Sequence, residues 1–208
     1  VHIGKKTVST TVSKSISNRL ADEALVSKIN GEVRDLSTQI NQNVSLQIFT
    51  FDNPEGKHTY WHSTSHLMAH AVQSIYPEAK FGVGPAIDAG FYYDIDINSN
   101  LTEENLVKIE KKMMEIISQK NQFKRTELSK NDAVNFFKIK GDNYKLEILS
   151  ELDDKEEVIS IYDEGDFTDL CLGPHVPDAG KIKFVKLLTV SGSYWRGDEK
   201  NKQMQRIY

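Results

Sequence analysis

Leu67, Ala71 and Ile75 recur at a spacing of four, and Pro77 ends the run. That period predicts a helix over about Tyr60–Ile75 with one apolar face, and such a face has to be buried against another element. The same stretch carries His62, His66 and His70 at i, i+4 and i+8, within about 80° of one another on the helix surface. Whatever packs on this helix therefore packs beside a row of imidazoles.

The other periodicities are mixed. Val12, Ile16 and Leu20 mark a short amphipathic helix over Val12–Leu20. Leu25–Ile29 and Glu32–Leu36 flank Asn30-Gly31, a dipeptide suited to the positive φ angles of a tight hairpin. Val44–Phe51 alternates as a further strand, and Asp52–Gly56 reads as a turn or linker. Beyond it, Phe91–Ile97 and Val158–Tyr162 read as strands, and Phe184–Ser191 with Tyr194–Arg196 as a pair around Gly192. Thr102 is placed to cap a helix reaching about Lys120, with Leu106, Ile109, Met113 and Ile116 inside. Ser129 is placed to cap a shorter one over Lys130–Phe137, and Tyr144–Leu149 fits a short helix or strand. The expected class is α+β. A small unit, residues 1–52, precedes a larger one, residues 57–208, with an antiparallel sheet packed against helices.

Composition narrows the function classes. Of 208 residues, 38% are hydrophobic and 27% charged, which excludes wholesale disorder. No apolar run approaches the roughly 20 residues of a membrane helix, and Val1–Lys6 lacks a secretory h-region. The lone Cys171 excludes a disulfide framework and fits a reducing compartment, so a cytoplasmic location is expected. The chain opens without Met and is expected to be a fragment of something longer. Net charge −4 argues against a dedicated nucleic-acid-binding domain. The charge is uneven, however: Glu151–Asp169 is acidic, whereas Lys181–Tyr208 is basic, either as a solvated surface or as a face for an anionic partner.

Chemistry-bearing residues concentrate in two places. His62 and His66 form one pair; Cys171-Leu-Gly-Pro-His175 supplies another on a turn that Gly173 and Pro174 keep out of a helix. A two-plus-two set of His62, His66, Cys171 and His175 is a usual home for zinc. The competing reading is a metal-free hydrolytic site whose imidazoles position and activate water. In an extended segment Asp169 would face the same side as Cys171. Lys145 reads from composition as a solvated surface lysine, and Tyr92 and Tyr93 read as core packing or pocket walls. Phe81-Gly-Val-Gly-Pro85 opens no helix of useful length, so it reads as a structural turn rather than a phosphate cradle.

Five segments together carry a resemblance that covers essentially the whole chain. They are His62-Ser-Thr-Ser-His66-Leu-Met-Ala-His70, Phe81-Gly-Val-Gly-Pro85, Gly90-Phe-Tyr-Tyr-Asp94, Asp169-Leu-Cys-Leu-Gly-Pro-His175 and Tyr194-Trp-Arg-Gly-Asp198 with Gln205-Arg-Ile-Tyr208. In this order they resemble the N-terminal half of bacterial threonyl-tRNA synthetases. The resemblance implies a TGS domain, a ubiquitin-like β-grasp, over 1–52, and an editing domain over 57–208. The synthetic core would be absent, and with it the need for ATP and that core's zinc. The implied reaction is hydrolysis of serine mischarged onto the 3′ end of tRNA(Thr). The implied partners are that tRNA and the synthetic and anticodon-binding domains of a longer chain, with no membrane. Carried over by motif, the catalytic residues are His62, His66, Lys145, Cys171 and His175, and Tyr93 and Asp169 bind substrate. His62 or Lys145 would activate water. The family implies no required metal for editing, although relatives among alanyl-tRNA synthetases use such a set for zinc. Leu172 stands where members often have a basic residue. The alternative from another class is a docking module for tRNA or protein, without chemistry.

Overall fold

The computed structural model describes residues 7–153 and 158–208. Its first part is a three-stranded antiparallel sheet in the order Glu32–Arg34, Val26–Ile29, Leu46–Phe49. Asn30 and Gly31 take φ angles of 51° and 92°, the hairpin expected of them. Helix α1, Ser9–Ile16, and helix α2, Asn18–Glu23, replace the single predicted helix. The break falls at Ser17, whose backbone is extended and whose hydroxyl accepts the Leu20 N–H at 3.0 Å. The predicted stripe is not the buried face, since Ile16 is 65% exposed and Ser9 and Ser13 are buried instead. Ser9 Oγ donates to Ser27 Oγ on the sheet at 3.0 Å, a contact that hydropathy cannot register.

Helix α3, Pro54–Ile75, starts at Pro54 rather than near Tyr60. Proline suits the first helical position, where its missing N–H costs nothing, so the expected linker is the helix's own first turn. Helix α4, Glu103–Gln119, packs along α3, burying Leu106, Ile109, Met113 and Ile116 as predicted. Leu67, Met68 and Val72 of α3 are fully buried with them. Helix α5, Lys130–Lys140, is capped by Ser129, and helix α6, Asn143–Glu151, by Asp142. These two cover Ile159 and Ile161 with Ala133, Phe137 and Leu149 in a second apolar cluster.

Two larger antiparallel sheets and one short strand pair complete the larger part. One runs Val190–Tyr194, Gln203–Ile207, Tyr93–Asp96, Lys80–Phe81; the other runs Phe123–Leu128, Ile159–Glu164, Phe167–Leu170. The predicted strand Phe91–Ile97 is split: Gly90–Phe91 pairs with Ala86–Ile87, and Tyr93–Asp96 joins the larger sheet. Gly192 is no turn. It sits inside Val190–Tyr194, opposite Gln205, and the chain reverses instead around Trp195–Gly197, where Arg196 takes φ 57°. Phe184–Thr189 is not in a strand.

The charge asymmetry resolves only in part. Asp154–Glu157 of the acidic run lie outside the described residues. In the basic run, Lys186 pairs with Glu110, Arg196 with Glu147 and Glu151, Lys202 with Asp96, and Arg206 with Asp94. Much of that charge is therefore engaged by the chain's own carboxylates. Among the described residues no helix is long and apolar enough to cross a membrane.

Candidate active site

Helix α3 aims His62 and His66 at the turn that follows strand Phe167–Leu170. That strand's partner fixes the turn's start: Cys171 N–H donates to the Ser160 carbonyl, and Ser160 Oγ donates to the Cys171 carbonyl. One donor atom from each of His62, His66, Cys171 and His175 lies within 4.8 Å of the others. Cys171 Sγ stands 3.0 Å from His62 Nε2 and 3.3 Å from His175 Nε2, and it accepts the Gly173 N–H at 3.2 Å.

Hydrogen bonding assigns the proton on the His175 ring. Ser63 Oγ donates to the Thr59 carbonyl at 2.8 Å, so its oxygen must accept from His175 Nδ1 at 3.0 Å. The lone pair of His175 then lies on Nε2, facing sulfur. His62 Nε2 faces the same sulfur. Two imidazole nitrogens and one sulfur thus meet at a single point.

Burial keeps these imidazoles neutral. It lowers His62 to about 3, with His66 adding to the effect, and lowers His66 to about 4 against the opposing pull of Asp169. His175 is driven well below the ordinary range by burial and by its two histidine neighbours. Burial also pushes the Cys171 thiol up to about 12, so it is not a ready thiolate nucleophile.

A second group adjoins the first. Lys145, from the first turn of α6, is 3% exposed; its Nζ contacts Asp169 Oδ1 at 2.8 Å and donates to the Gly82 carbonyl at 2.8 Å. Tyr93 donates its hydroxyl to Asp169 Oδ2, and His66 Nδ1 lies 3.6 Å from the same oxygen. Burial raises the Asp169 carboxyl, but Lys145, His66 and the Tyr93 hydrogen bond outweigh it, and the group stays ionised below its ordinary range. A cavity of about 590 Å³ is lined by His62 and Cys171 of the first group and by Tyr93 and Lys145 of the second, with His58 and Gly84 among others, whereas His66, Asp169 and His175 do not line it.

The remaining residues sort plainly. His70 leaves the cluster and pairs with buried Glu164, Nδ1 to Oε2 at 2.5 Å. Tyr92 does not line the cavity; it lies under Arg206, whose guanidinium is 3.9 Å from the ring centre. Leu172, 85% exposed, sits on the cavity rim. Lys145 is no solvated lysine. The loop Phe81–Pro85 precedes no helix, as expected, yet its backbone walls the cavity, and a Cβ on Gly84 would lie 2.3 Å from the Tyr93 ring. Ser63 and Gly82 were not foreseen. Ser63 lies one residue after His62, and only the three-dimensional contact with His175 distinguishes it from Ser65 or Thr64.

Residues 159–208 match the family described as the threonyl and alanyl tRNA synthetase second additional domain. The chain is 47% identical over 205 residues to threonine–tRNA ligase of Parabacteroides distasonis, covering 98% of this chain and 31% of the relative. It is 50% identical over 198 residues to the Cytophaga hutchinsonii enzyme (95% and 30%) and 51% identical over 193 residues to that of Clostridium tetani (93% and 30%). The chain spans about a third of the length of these relatives. Residues 159–208 are therefore similar to the second additional domain of threonyl- and alanyl-tRNA synthetases, and the chain along nearly its whole length is similar to the N-terminal region of bacterial threonyl-tRNA synthetases.

Proposed function

We propose that this chain is the proofreading part of a threonine–tRNA ligase and hydrolyses serine from mischarged tRNA(Thr). The observation that carries this reading is a cavity lined by His62, Cys171, Tyr93 and Lys145, with His66, Asp169 and His175 buried behind them. A docking surface has no use for so costly an arrangement of buried polar groups. In this reading residues 1–52 are a TGS domain of β-grasp type, and 57–208 are the editing domain. Its partners are the tRNA 3′ end and the synthetic and anticodon-binding domains of the longer chain. ATP and zinc serve the synthetic core, and the location is the cytoplasm.

The need for a second site is energetic. Serine lacks one methyl group of threonine, which is worth only about 1–3 kcal/mol of discrimination. For hydrolysis, water attacks the ester carbonyl carbon while an imidazole takes its proton. The bond to the ribose oxygen then breaks, and that oxygen is protonated. His62 is suited to hold and deprotonate the water, since it is the imidazole of the cluster that lines the cavity. Lys145 spends its charge on Asp169 and Gly82, with its remaining N–H free to polarise water or carbonyl. Asp169 and Tyr93 orient the seryl moiety, His66 and His175 hold the cluster in place, and Cys171 forms no covalent bond.

The metal question divides two readings. The metal-free one follows the family, with neutral imidazoles and a protonated thiol at the site. The convergence of four possible ligand atoms within 4.8 Å favours zinc at His62, His66, Cys171 and His175, with Asp169 and Ser63 as outer partners. Bound there, zinc would supply an activated water. Metal analysis of the purified chain, with Ser-tRNA hydrolysis before and after chelation, decides. Hydrolysis that survives with no bound zinc supports the metal-free reading. Stoichiometric zinc whose removal stops hydrolysis selects the other. No hydrolysis under any metal condition refutes the proposed function.

A further inference from the structure

A carboxylate of the N-terminal sheet reaches the hydrolytic turn. Asp35 follows strand Glu32–Arg34, and its backbone is held by a turn, with the Thr38 N–H on its carbonyl at 3.0 Å. Buried Leu36 anchors the next position. Asp35 Oδ1 accepts the backbone N–H of His175 at 2.8 Å, and Oδ2 accepts the Tyr162 hydroxyl at 2.7 Å. Tyr162 in turn stands against the His175 ring, with centroids 4.5 Å apart at 63°. Its hydroxyl also fills the space beside Gly173: a Cβ there would lie 2.1 Å from that oxygen. Asp35, directly and through Tyr162, thus fixes the turn at three points, namely the His175 backbone, the His175 ring and Gly173.

We propose that Asp35 is a positioning residue for the Cys171–His175 turn, so that docking of the N-terminal part sets the geometry of the hydrolytic site. This rests on the hydrolytic reading of that turn. The contact differs from mere docking. Lys181 also bridges the two parts, donating to the Ala21 and Asp22 carbonyls at 2.9 and 2.8 Å, but it touches no residue of the cluster. Without the Asp35 carboxylate, the His175 N–H and the Tyr162 hydroxyl lose their shared acceptor. The hydrogen bonds that then hold the turn to its neighbours come from Ser63, Ser160 and His62, with Phe123 stacked on the His175 ring. A displacement of about 1 Å in a reacting group costs on the order of 100-fold in rate.

The test uses the intact chain with Asp35→Ala, Asp35→Asn, Tyr162→Phe and, as a docking control, Lys181→Ala. Two readouts are taken per folded molecule: kcat and KM for Ser-tRNA hydrolysis, and the rate at which iodoacetamide alkylates Cys171, the chain's sole cysteine. Asp35→Ala is expected to lower kcat by about tenfold or more with KM little changed, and to speed alkylation several-fold. Tyr162→Phe, which removes one oxygen, should move both readouts the same way by less, and Lys181→Ala should move neither. If Asp35→Ala does not fold, Asp35→Asn and Tyr162→Phe carry the test. Unchanged alkylation in Asp35 and Tyr162 variants overturns the proposal, and so does a Lys181→Ala variant that reproduces their effects. A wild-type chain that hydrolyses nothing would defeat the proposed function, while alkylation would still decide whether Asp35 positions the turn.

Discussion

Lys145 shows what one buried charge does for the site. Its ammonium sits between Asp169 and the Gly82 carbonyl, so it ties α6 to the cavity wall and keeps Asp169 ionised. Removing one member of such a pair costs about 3–5 kcal/mol, because the other charge is left buried alone. Rates for Lys145→Ala must therefore be taken per folded molecule. On that basis His62→Ala and Lys145→Ala are each expected to cut Ser-tRNA hydrolysis by about 10²–10⁴-fold while tRNA binding changes less. Cys171→Ser should be milder than either. Both alanine variants hydrolysing within about twofold of wild type would refute these roles. Gly84 tests the wall from the other side. Its backbone lies against the Tyr93 ring with no room for a methyl, so Gly84→Ala must displace Tyr93 and its bond to Asp169. Single-turnover hydrolysis should slow for that variant, and an unchanged rate would remove Tyr93 from the substrate-binding role.

Helix α3 governs the site's response to acid. His62 and His66 are held neutral by burial, at about 3 and about 4, against an ordinary value of 6.5 in the unfolded chain. Between about pH 6.5 and 4 the unfolded state binds more protons than the folded one, so stability falls as pH drops through that window. Asp169, lowered in the folded state, extends the loss to more acid pH as it is protonated. Urea midpoints measured from pH 7 to 4 are predicted to fall, and His66→Gln should flatten the curve; a flat wild-type profile would contradict neutral burial. The helix itself was legible because Leu67, Ala71 and Ile75 repeat in register with its histidines. So was the four-residue cluster, because i, i+4 spacing and a Gly-Pro turn are local facts. Strand Phe123–Leu128 was not legible: Lys124, Arg125 and Glu127 interrupt its alternation, and it becomes a strand by pairing with Ile159–Glu164. The α1–α2 break hid in Ser17, whose capping bond outweighed the apolar period of its neighbours. Lys145 was invisible for a different reason. A lone lysine carries no sign of burial; its partner Asp169 is distant in sequence and arrives only when α6 packs beside the strand Phe167–Leu170.

At the scale of the whole molecule, the site belongs to no single element. Helix α3 gives two imidazoles, α6 the lysine, the sheet Phe123–Leu128, Ile159–Glu164, Phe167–Leu170 the carboxylate and the turn beyond it, and the loop Phe81–Pro85 a backbone wall. Such a pocket can discriminate by shape, since serine and threonine esters offer the same amine and hydroxyl. Packing an extra methyl against walls such as Tyr93 and the Cys171–His175 turn costs about 1–3 kcal/mol, and misplacing the ester relative to the water costs more. The most direct measurement is therefore a side-by-side deacylation of Ser-tRNA(Thr) and Thr-tRNA(Thr) by the intact chain. The account predicts that the serine ester is cleaved faster by about tenfold or more. Equal rates on the two esters would mean a nonspecific esterase and would contradict proofreading, even with hydrolysis itself intact.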